Sequence, residues 1–298
     1  MPTDTFVDEF EACRPVLTGV AYRMLGRVAD AEDVVQEAWL RWSATDRADV
    51  KDHRAFLVRI TTRLAIDRLR QVQARREAYV GPWLPEPVVT EFGGTVPDTA
   101  EQAVLADSVS LAVLVVLESL SPLERAVFVL REAFGLPFAQ IAETLDRSEP
   151  AVRQLAGRAR RHVEEGKPRY DVDPVERRAL TERFLAAAGA GDLDGLIGLL
   201  APDARLVGDS GGKAKAPLRV LESASKVARF LHGVSGPSSE LIDSFRIEEI
   251  NGGPAVLGLI GDRVEVVMQL DIADGVVQSV YVMRNPDKLE SLTAQLKG

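Results

Sequence analysis

Positions 138–161 read FAQIAETLDRSEPAVRQLAGRARR, and this stretch combines two helical patterns with a very short connection. Phe138 to Leu145 has the apolar spacing of a short helix, Asp146 begins the turn, and Ser148 is placed to cap a second helix. Aspartate tolerates the left-handed backbone conformation of such a turn better than most residues do. Two helices joined this tightly are typical of a helix-turn-helix.

The second helix of this stretch has one apolar face and one polar face. Val152, Leu155 and Ala159 recur at helical spacing and are predicted to face inward. Arginine and glutamine suit base edges in the major groove, and glutamate can accept a hydrogen bond from cytosine. An ordinary helical hairpin with a charged face is the alternative, but the pattern favours DNA binding. The predicted DNA contacts are Ser148, Glu149, Arg153, Gln154, Arg158 and Arg161, with Arg153 and Gln154 on bases and Arg158 and Arg161 on phosphates.

The basic residues of the chain are concentrated in two short segments. The chain has 298 residues and a formal net charge of -9. Residues 51–76 nevertheless hold eight basic side chains against two acidic ones, and residues 147–169 hold seven against three. Two basic segments in an acidic protein are compatible with two contacts with a polyanion, but on charge alone solvated helix faces are the favoured interpretation. The remaining acidity disfavours indiscriminate binding to DNA.

The first 80 residues read as a compact helical domain. Apolar residues recur at helical spacing from Phe10 to Met24, and Pro15 is expected to weaken or bend these turns. A second helix follows, with Asp30 predicted as its N-cap. After a polar segment at 43–53, a third helix turns most of its arginines outward.

Residues 81–106 are predicted to form a linker. Its prolines, together with adjacent glycines at positions 93 and 94, exclude a regular helix. Residues 81–104 alone, roughly 24 residues, would reach on the order of 80 Å when extended, so the flanking domains could sit far apart. Trp83, between prolines, is a rigid apolar anchor that gains from finding a pocket.

Two further domains are predicted after the linker. Residues 107–167 read as helices and contain Ser121-Pro122-Leu123-Glu124, which has the pattern of a capping box. From residue 168 helices are followed by strand-like runs, which are separated by Asn251-Gly252 and Asp274-Gly275. The predicted fold is therefore multidomain: two all-α domains followed by an α+β domain with a mainly antiparallel sheet.

Composition limits the chemistry of the chain. Its single cysteine, Cys13, cannot form an internal disulfide, which fits a reducing cytoplasm, and no apolar stretch approaches the roughly 20 residues of a membrane span. Its three histidines, His53, His162 and His232, lack metal-ligand spacing. We therefore expect a cytoplasmic protein with no metal, no cofactor and no membrane contact.

Two segments resemble the domains of one bacterial family. Residues 30–39, DAEDVVQEAW, resemble the polymerase-binding helix of extracytoplasmic-function sigma factors. Residues 120–125, LSPLER, together with residues 148–161 resemble the promoter-reading second domain of these proteins. The resemblance implies that residues 1–80 are sigma region 2 and residues 107–167 are sigma region 4.

The C-terminal part resembles SnoaL-like domains, in which helices wrap a curved sheet. Segments 83–87, 209–213 and 285–289 resemble three signature motifs of the sigma factors that carry such a domain. Ser210 departs from the pattern, because glycine is usual at that position. The likeness extends over nearly the whole chain.

The resemblance implies core RNA polymerase and promoter DNA as partners. The second helix would dock on the clamp helices of the polymerase, the second domain would meet its flap, and loop 43–53 would capture unpaired bases of the melted promoter. A solvated surface is the alternative for the docking face. The implied residues are Asp33, Gln36, Glu37, Trp39 and Arg41 for polymerase and Arg59, Arg63 and Arg68 for phosphate.

The SnoaL-like domain, residues 168–298, is predicted to be regulatory. Such folds include enzymes, and Asp209 with His232 is the available acid–base pair, but a lone helical histidine is more often packed or solvated. We expect the linker to pack against this domain and to fix the two DNA-reading domains relative to each other; a plain turn at 209–212 and a plain N-cap at Asn285 are the alternatives. The residues assigned to this contact are Trp83, Leu84, Pro85, Glu86, Pro87, Asp209, Gly211, Gly212, Lys213, Asn285, Pro286, Asp287, Lys288 and Leu289.

Two other functions stay open at the level of sequence. One is a ligand-sensing helix-turn-helix regulator that acts without polymerase, and the other is a SnoaL-like enzyme fused to a DNA-binding module. Helix 30–39 and the basic helix after it favour the sigma factor, because a regulator has no use for them. A small-molecule ligand in the third domain is neither required nor excluded.

Overall fold

The computed structural model describes residues 3–46, 50–76, 78–90, 110–166, 173–234 and 242–297. The chain forms two compact units: Met1–Glu77, Glu91–Val109 and Val113–Gly166 make the first, and Ala78–Thr90, Ser110–Ala112 and Lys167–Gly298 make the second. Residues 81–90 of the predicted linker therefore belong with the C-terminal part of the chain. The rest of that linker, positions 91–106, lies outside the described residues, as do positions 47–49 of the predicted base-binding loop.

Helices make up the N-terminal part of the fold. They are α1 (Thr3–Leu25), α2 (Val28–Ser43), α3 (His53–Arg76), α4 (Leu111–Leu117), α5 (Pro122–Phe128), a π-helical turn (Val129–Ala133), α6 (Phe138–Leu145) and α7 (Glu149–Gly166). Phe10, Leu17, Trp42 and Leu57 are fully buried where α1, α2 and α3 meet. Pro15 lies inside α1, which continues through it.

The start of α2 differs from the prediction. Arg27 occupies the N-cap position, and Asp30 lies in the first turn, so the prediction that Asp30 caps this helix is wrong. The helix begins earlier because Val28 and Ala31 pack into the core. Asp30 instead accepts a hydrogen bond from Arg68 at 2.6 Å. The capping box at Ser121 and Glu124 is confirmed.

Within the first unit, a buried arginine connects the helices before the linker, α1 to α3, with the helices after it, α4 to α7. Arg125, on α5, is fully buried and donates to the carbonyl oxygens of Leu117 and Met24, at 2.7 and 2.8 Å. It also forms an ion pair with Glu118, which Arg76 of α3 shares. Met24 lies in the last turn of α1, where carbonyl groups lack partners within the helix. The helices on both sides of the linker therefore pack together, although the length of the linker permits a wide separation.

The second unit combines helices with one six-stranded mixed sheet. Its helices are α8 (Pro174–Ala190), α9 (Leu193–Leu199), α10 (Ala224–Val234) and α11 (Pro286–Gln295). Its strands are β1 (Leu200–Asp209), β2 (Leu221–Glu222), β3 (Ser244–Ile250), β4 (Gly253–Ile260), β5 (Arg263–Ala273) and β6 (Val276–Met283), in the order β2-β1-β6-β5-β4-β3. Only β1 and β6 run parallel among these pairs. Phe184, Leu196, Val227 and Val280 lie in the core between helices and sheet.

The predicted hairpins form where the sequence placed them. Asn251 and Gly252 have φ of 47° and 71°, and Asp274 and Gly275 have φ of 53° and 72°. Positive φ at both central residues is what a tight two-residue hairpin requires. The predicted α+β domain is therefore confirmed. Among the described helices, none has the length and apolarity to cross a membrane.

Candidate nucleic-acid interface and linker-binding site

Helices α6 and α7 form the predicted helix-turn-helix. Asp146 ends α6 with φ 53° and ψ 55°, so it adopts the expected left-handed conformation. Ile141, Val152 and Ala159 are buried between the helices, whereas Leu155 is only half-buried. The opposite, polar face of α7 is exposed.

The predicted contact residues of α7 lie at its surface. Ser148, Arg153, Gln154, Arg158 and Arg161 are exposed, and Glu149 is half-buried. Arg158 donates to Glu124 at 2.8 Å and lowers the pKa of that carboxyl, helped by Ser121. Because Arg158 is half exposed, this ion pair contributes at most about 1 kcal/mol and can be exchanged for a phosphate contact.

The three predicted phosphate contacts of α3 have different surroundings. Arg59 lies over the Phe56 ring, with its guanidinium carbon 5.2 Å from the ring centroid. Arg63 donates to the carbonyl oxygen of Thr144 at 2.7 Å, at the end of α6. Arg68 binds the carboxylates of Asp30 and Asp33, at 2.6 and 3.3 Å. Sequence reasoning missed these partners, because they depend on how α2, α3 and α6 cross.

The predicted polymerase face of α2 is largely exposed. Asp33, Gln36, Glu37 and Arg41 are exposed, whereas Trp39 is half-buried with its ring 4.9 Å from that of Phe10. The Trp39 ring therefore packs against Phe10 of α1. A cavity of about 330 Å³ opens beside this face. It is lined by Asp33, Val34, Glu37, Arg41, Leu64, Asp67, Arg68 and Gln71.

In the second unit, the linker segment binds around a buried carboxylate. Asp209, at the end of β1, is fully buried. It accepts hydrogen bonds from the Tyr79 hydroxyl at 2.5 Å, the Leu84 amide at 2.8 Å and the Gly211 amide at 3.2 Å. Lys288 donates to it at 2.7 Å. The segment around Leu84 is thus bound by a carboxylate that lies 125 residues farther along the chain.

Lys288 completes this site from helix α11. Its ammonium group is 2.5 Å from the Leu84 carbonyl oxygen and 4.0 Å from the centroid of the Trp83 ring. Asn285 caps α11, as the N-cap alternative predicted, and also donates to the Tyr79 oxygen at 2.7 Å. Asn285 therefore serves both the helix and the linker.

Glycine is required at one position of the loop after β1. Gly211 has φ 57°, and a Cβ atom there would lie 2.6 Å from Asn285 and 3.0 Å from the Tyr79 oxygen. Ser210 is not among the residues with positive φ, so serine fits where glycine is usual. At the surface beside this loop, Lys213 binds Asp287 at 2.5 Å.

The linker continues along the edge of the sheet. Leu84, Pro85, Glu86 and Pro87 are buried. Val88 exchanges hydrogen bonds with Asn251, and Val89 pairs with Ile250 of the edge strand β3. Leu289 is buried on α11, whereas Pro286, Asp287, Gly212 and Lys213 are exposed. Of the residues predicted for the linker contact, the structure brings together Trp83, Leu84, Asp209, Gly211, Asn285 and Lys288. Tyr79 joins them and is the main participant that sequence reasoning missed.

The acid–base pair that the enzyme alternative requires is not assembled. Both oxygens of Asp209 are occupied by the linker and Lys288, and His232 is exposed near the end of α10. Burial instead raises the pKa of the Asp271 carboxyl to about 6, against the opposing charge of Arg177. Across the described residues, no group of three or more His, Cys, Asp or Glu side chains is arranged to hold a metal ion.

Comparisons with known proteins match these parts of the molecule. Residues 10–76 match the family model for Sigma-70 region 2, and residues 110–163 match that for Sigma-70, region 4. The ECF RNA polymerase sigma factor SigJ of Mycobacterium tuberculosis is 43% identical over 95% of this chain and 92% of its own length. The probable ECF RNA polymerase sigma factor SigI of the same species is 34% identical over 97% of this chain and 96% of its own.

The likeness extends to three dimensions. The crystal structure of Mycobacterium tuberculosis SigJ superposes with a TM-score of 0.75 and 40% sequence identity. The match covers 95% of this chain and 98% of that one, so it includes the helical unit and the α+β unit.

Proposed function

The chain belongs to the extracytoplasmic-function sigma factors of RNA polymerase, and we propose that it directs promoter-specific initiation while its SnoaL-like domain modulates this activity in cis. The observation that carries the proposal is the 43% identity to a sigma factor along 95% of the chain. Sigma factors bind core RNA polymerase and promoter DNA. In this role the protein is a non-enzymatic initiation factor that acts in the cytoplasm, where the polymerase is.

Region 2 would bind the polymerase through α2. The exposed carboxylates of Asp33 and Glu37 border the cavity beside α2, together with Asp67. Arg41 and Arg68 also line this cavity and pair with Glu37 and Asp33, so the surface carries charges of both signs. A partner surface with complementary basic and acidic groups would fit it, because complementary charges guide and orient association. This arrangement supports the assignment of the polymerase clamp helices as the partner, with the flap left to region 4.

Region 4 would read the upstream promoter element through α7. Arg153 and Gln154 are exposed near the start of this helix, and Arg158 and Arg161 follow farther along. In helix-turn-helix proteins the N-terminal residues of the second helix reach base edges in the major groove. The arrangement supports base contacts for the first pair and phosphate contacts for the second.

Promoter binding would alter the surroundings of Arg63. Its Nε and Nη2 groups donate to the carbonyl oxygens of Thr144 and Glu143, at 2.7 and 3.3 Å. A two-pronged contact with phosphate would use the same groups, and charged hydrogen bonds contribute about 1.5–3 kcal/mol each. The transfer of Arg63 to DNA would therefore loosen the packing of α3 against α6.

The SnoaL-like domain would act by shortening the connection between regions 2 and 4. From Arg76 to Ser110 a free chain could span roughly 110–120 Å, whereas from Thr90 to Ser110 it could span only roughly 65–70 Å. The contacts of Leu84 with Asp209 and Lys288 hold the first part of this connection. The domain would thereby restrict how far apart the two promoter-reading regions can move.

The test is transcription in vitro with purified core RNA polymerase and a pool of random promoter sequences. We expect the full-length chain to form a complex with the core enzyme and to select one promoter class, whereas core enzyme alone selects none. Co-purification with the core enzyme distinguishes a sigma factor from a regulator that binds only duplex DNA. Absence of both the complex and selective transcripts would contradict the proposal.

The enzyme alternative needs a separate measurement. A SnoaL-like enzyme would turn over a small substrate and lose that activity on Asp209→Asn or His232→Ala. The burial of Asp209 under the linker argues against this reading, because a substrate would have to displace Leu84 to reach the carboxylate. We therefore expect no such activity in the domain.

A further inference from the structure

Two neighbours hold the guanidinium group of Arg153. Its central carbon lies 4.5 Å from the centroid of the Phe138 ring, at the start of α6. Its Nε and Nη2 groups both donate to Oε1 of Glu149, at 3.2 and 2.5 Å, one turn earlier on α7. The side chain is nonetheless 59% exposed. An exposed arginine usually samples many rotamers, so these contacts reduce the entropy that it loses on binding.

The Phe138 ring, on which Arg153 stacks, has a second cationic neighbour. Phe138 is half-buried, and the guanidinium carbon of Arg131 lies 4.7 Å from the centroid of the same ring. Arg131 in turn donates to the carbonyl oxygen of Leu136 at 3.0 Å. The ring is therefore tied to the chain that leads into the helix-turn-helix, and Arg153 rests on it from the second helix.

The contact with Glu149 determines which edge of Arg153 stays available. A planar guanidinium has a side edge formed by Nε and Nη2 and an end edge formed by Nη1 and Nη2. Glu149 occupies the side edge, so the end edge keeps two parallel N–H donors that face away from it. Guanine presents O6 and N7 as neighbouring acceptors in the major groove, and each other base lacks such a pair there.

We propose that Phe138 and Glu149 are positioning residues that orient Arg153 to read a guanine in the promoter. The inference rests on the proposed function, because it takes α7 as the helix in the major groove. It names guanine as the base that Arg153 reads. Phe138 contributes to this reading only by orienting Arg153. Glu149 uses its carboxylate on Arg153 in this arrangement, in place of a contact with cytosine.

The experiment measures promoter selection by full-length protein bound to core RNA polymerase. Wild type should prefer guanine at one upstream position by roughly tenfold or more, and Arg153→Ala should abolish that preference. Phe138→Leu keeps the apolar bulk but loses the ring, so the preference should fall roughly two- to fivefold. Phe138→Tyr keeps the ring and should restore it. Preferences at the other positions should not change.

A double variant separates positioning from folding. Phe138→Leu should have no further effect on base preference when Arg153 is already alanine, and its thermal unfolding should match that of Phe138→Tyr. Loss of preference at every position together with early unfolding would indicate a structural role and overturn the inference.

The experiment also distinguishes failure of this inference from failure of the proposed function. Unchanged guanine preference in Phe138→Leu, or an Arg153-dependent preference for another base, overturns the inference and leaves the proposed function intact. A wild-type chain that forms no initiating complex with core RNA polymerase overturns the proposed function itself, and the inference with it.

Discussion

The ammonium group of Lys288 lies 2.7 Å from the Asp209 carboxylate, and the two side chains are only 3% and 0% exposed. Leu84 completes the pair from the linker, since its amide donates to Asp209 and its carbonyl oxygen accepts from Lys288. A buried ion pair is stable only when further hydrogen bonds satisfy both ions. The backbone of the linker supplies these bonds, so the ion pair and the bound linker depend on each other.

Lys288→Met should therefore destabilise the second unit strongly. The substitution leaves the buried Asp209 carboxylate without its ammonium partner, and breaking such a pair costs about 3–5 kcal/mol. Chemical denaturation measures the change in the free energy of unfolding. Lys213→Met is the matched control, because it removes a half-exposed ion pair with Asp287 and should cost at most about 1 kcal/mol. Equal costs for the two variants would contradict the importance of the buried pair.

Removal of the Trp83 ring should release the linker. Trp83→Ala loses the cation–π contact with Lys288 and half-buried apolar area, which together amount to about 2 kcal/mol. We expect faster amide hydrogen exchange at Leu84 and Val88, and altered transcription in vitro. Trp83→Phe, which keeps an aromatic ring, should retain most of the protection. The prediction is wrong if exchange in the linker and transcription both stay as in wild type.

The helix-turn-helix, the capping box and the hairpins could be predicted because their sequence signals are local. Asp146 adopts the left-handed conformation, and the Ser121–Glu124 capping box depends on residues three apart. The hairpins at Asn251 and Asp274 were predictable for the same reason. In each case the residues that determine the structure are neighbours in sequence, so periodicity and turn chemistry suffice.

Contacts between distant residues could be predicted only in part. The motifs around Asp209 and Lys288 were identified, but Tyr79, which is 130 residues from Asp209, was not. Arg68 looked like an outward phosphate contact, yet it binds Asp30 because α2 and α3 cross there. A helical pattern predicts which face is polar, but it does not give the partner of a polar group on another helix.

Arg125→Met should destabilise the first unit. Arg125 is fully buried and satisfies carbonyl oxygens of Leu117 and Met24, and methionine offers them no donor. Glu118 keeps Arg76 as a partner, so we expect a loss of about 2–4 kcal/mol in the free energy of unfolding. Arg158→Met removes the half-exposed ion pair with Glu124 and should cost at most about 1 kcal/mol. A cost for Arg125→Met as small as that of this control would contradict the bridging role.

Asp271 should make the stability of the protein depend on pH between about 4 and 6. Burial raises its pKa from 3.8 to about 6, so the folded state holds this proton more tightly than the unfolded state does. Stability should therefore fall by on the order of 2–3 kcal/mol as pH rises through this window. Asp271→Asn should flatten the fall in urea-unfolding midpoints, whereas Asp274→Asn, in the exposed turn nearby, should not. An unchanged pH profile in Asp271→Asn would contradict the assignment.

Charge reversal at Glu37 should weaken binding to core RNA polymerase. Glu37 is exposed on α2, borders the cavity and pairs with Arg41, so lysine there would place two like charges side by side and would repel basic groups of the partner. We expect the dissociation constant to rise roughly tenfold or more, which corresponds to about 1.4 kcal/mol. A fluorescence titration at fixed salt measures this, because salt screens exposed charges.

The matched control for Glu37→Lys is Asp8→Lys on α1, which changes the net charge equally away from the cavity. Folding should be unaffected in both variants, since Glu37 loses only an exposed ion pair with Arg41. Equal weakening in both variants would mean that net charge alone drives association. Wild-type affinity in Glu37→Lys would mean that the polymerase docks elsewhere. Weakening confined to Glu37→Lys would identify the exposed face of α2 as the docking surface, because the two variants differ only in where the charge lies.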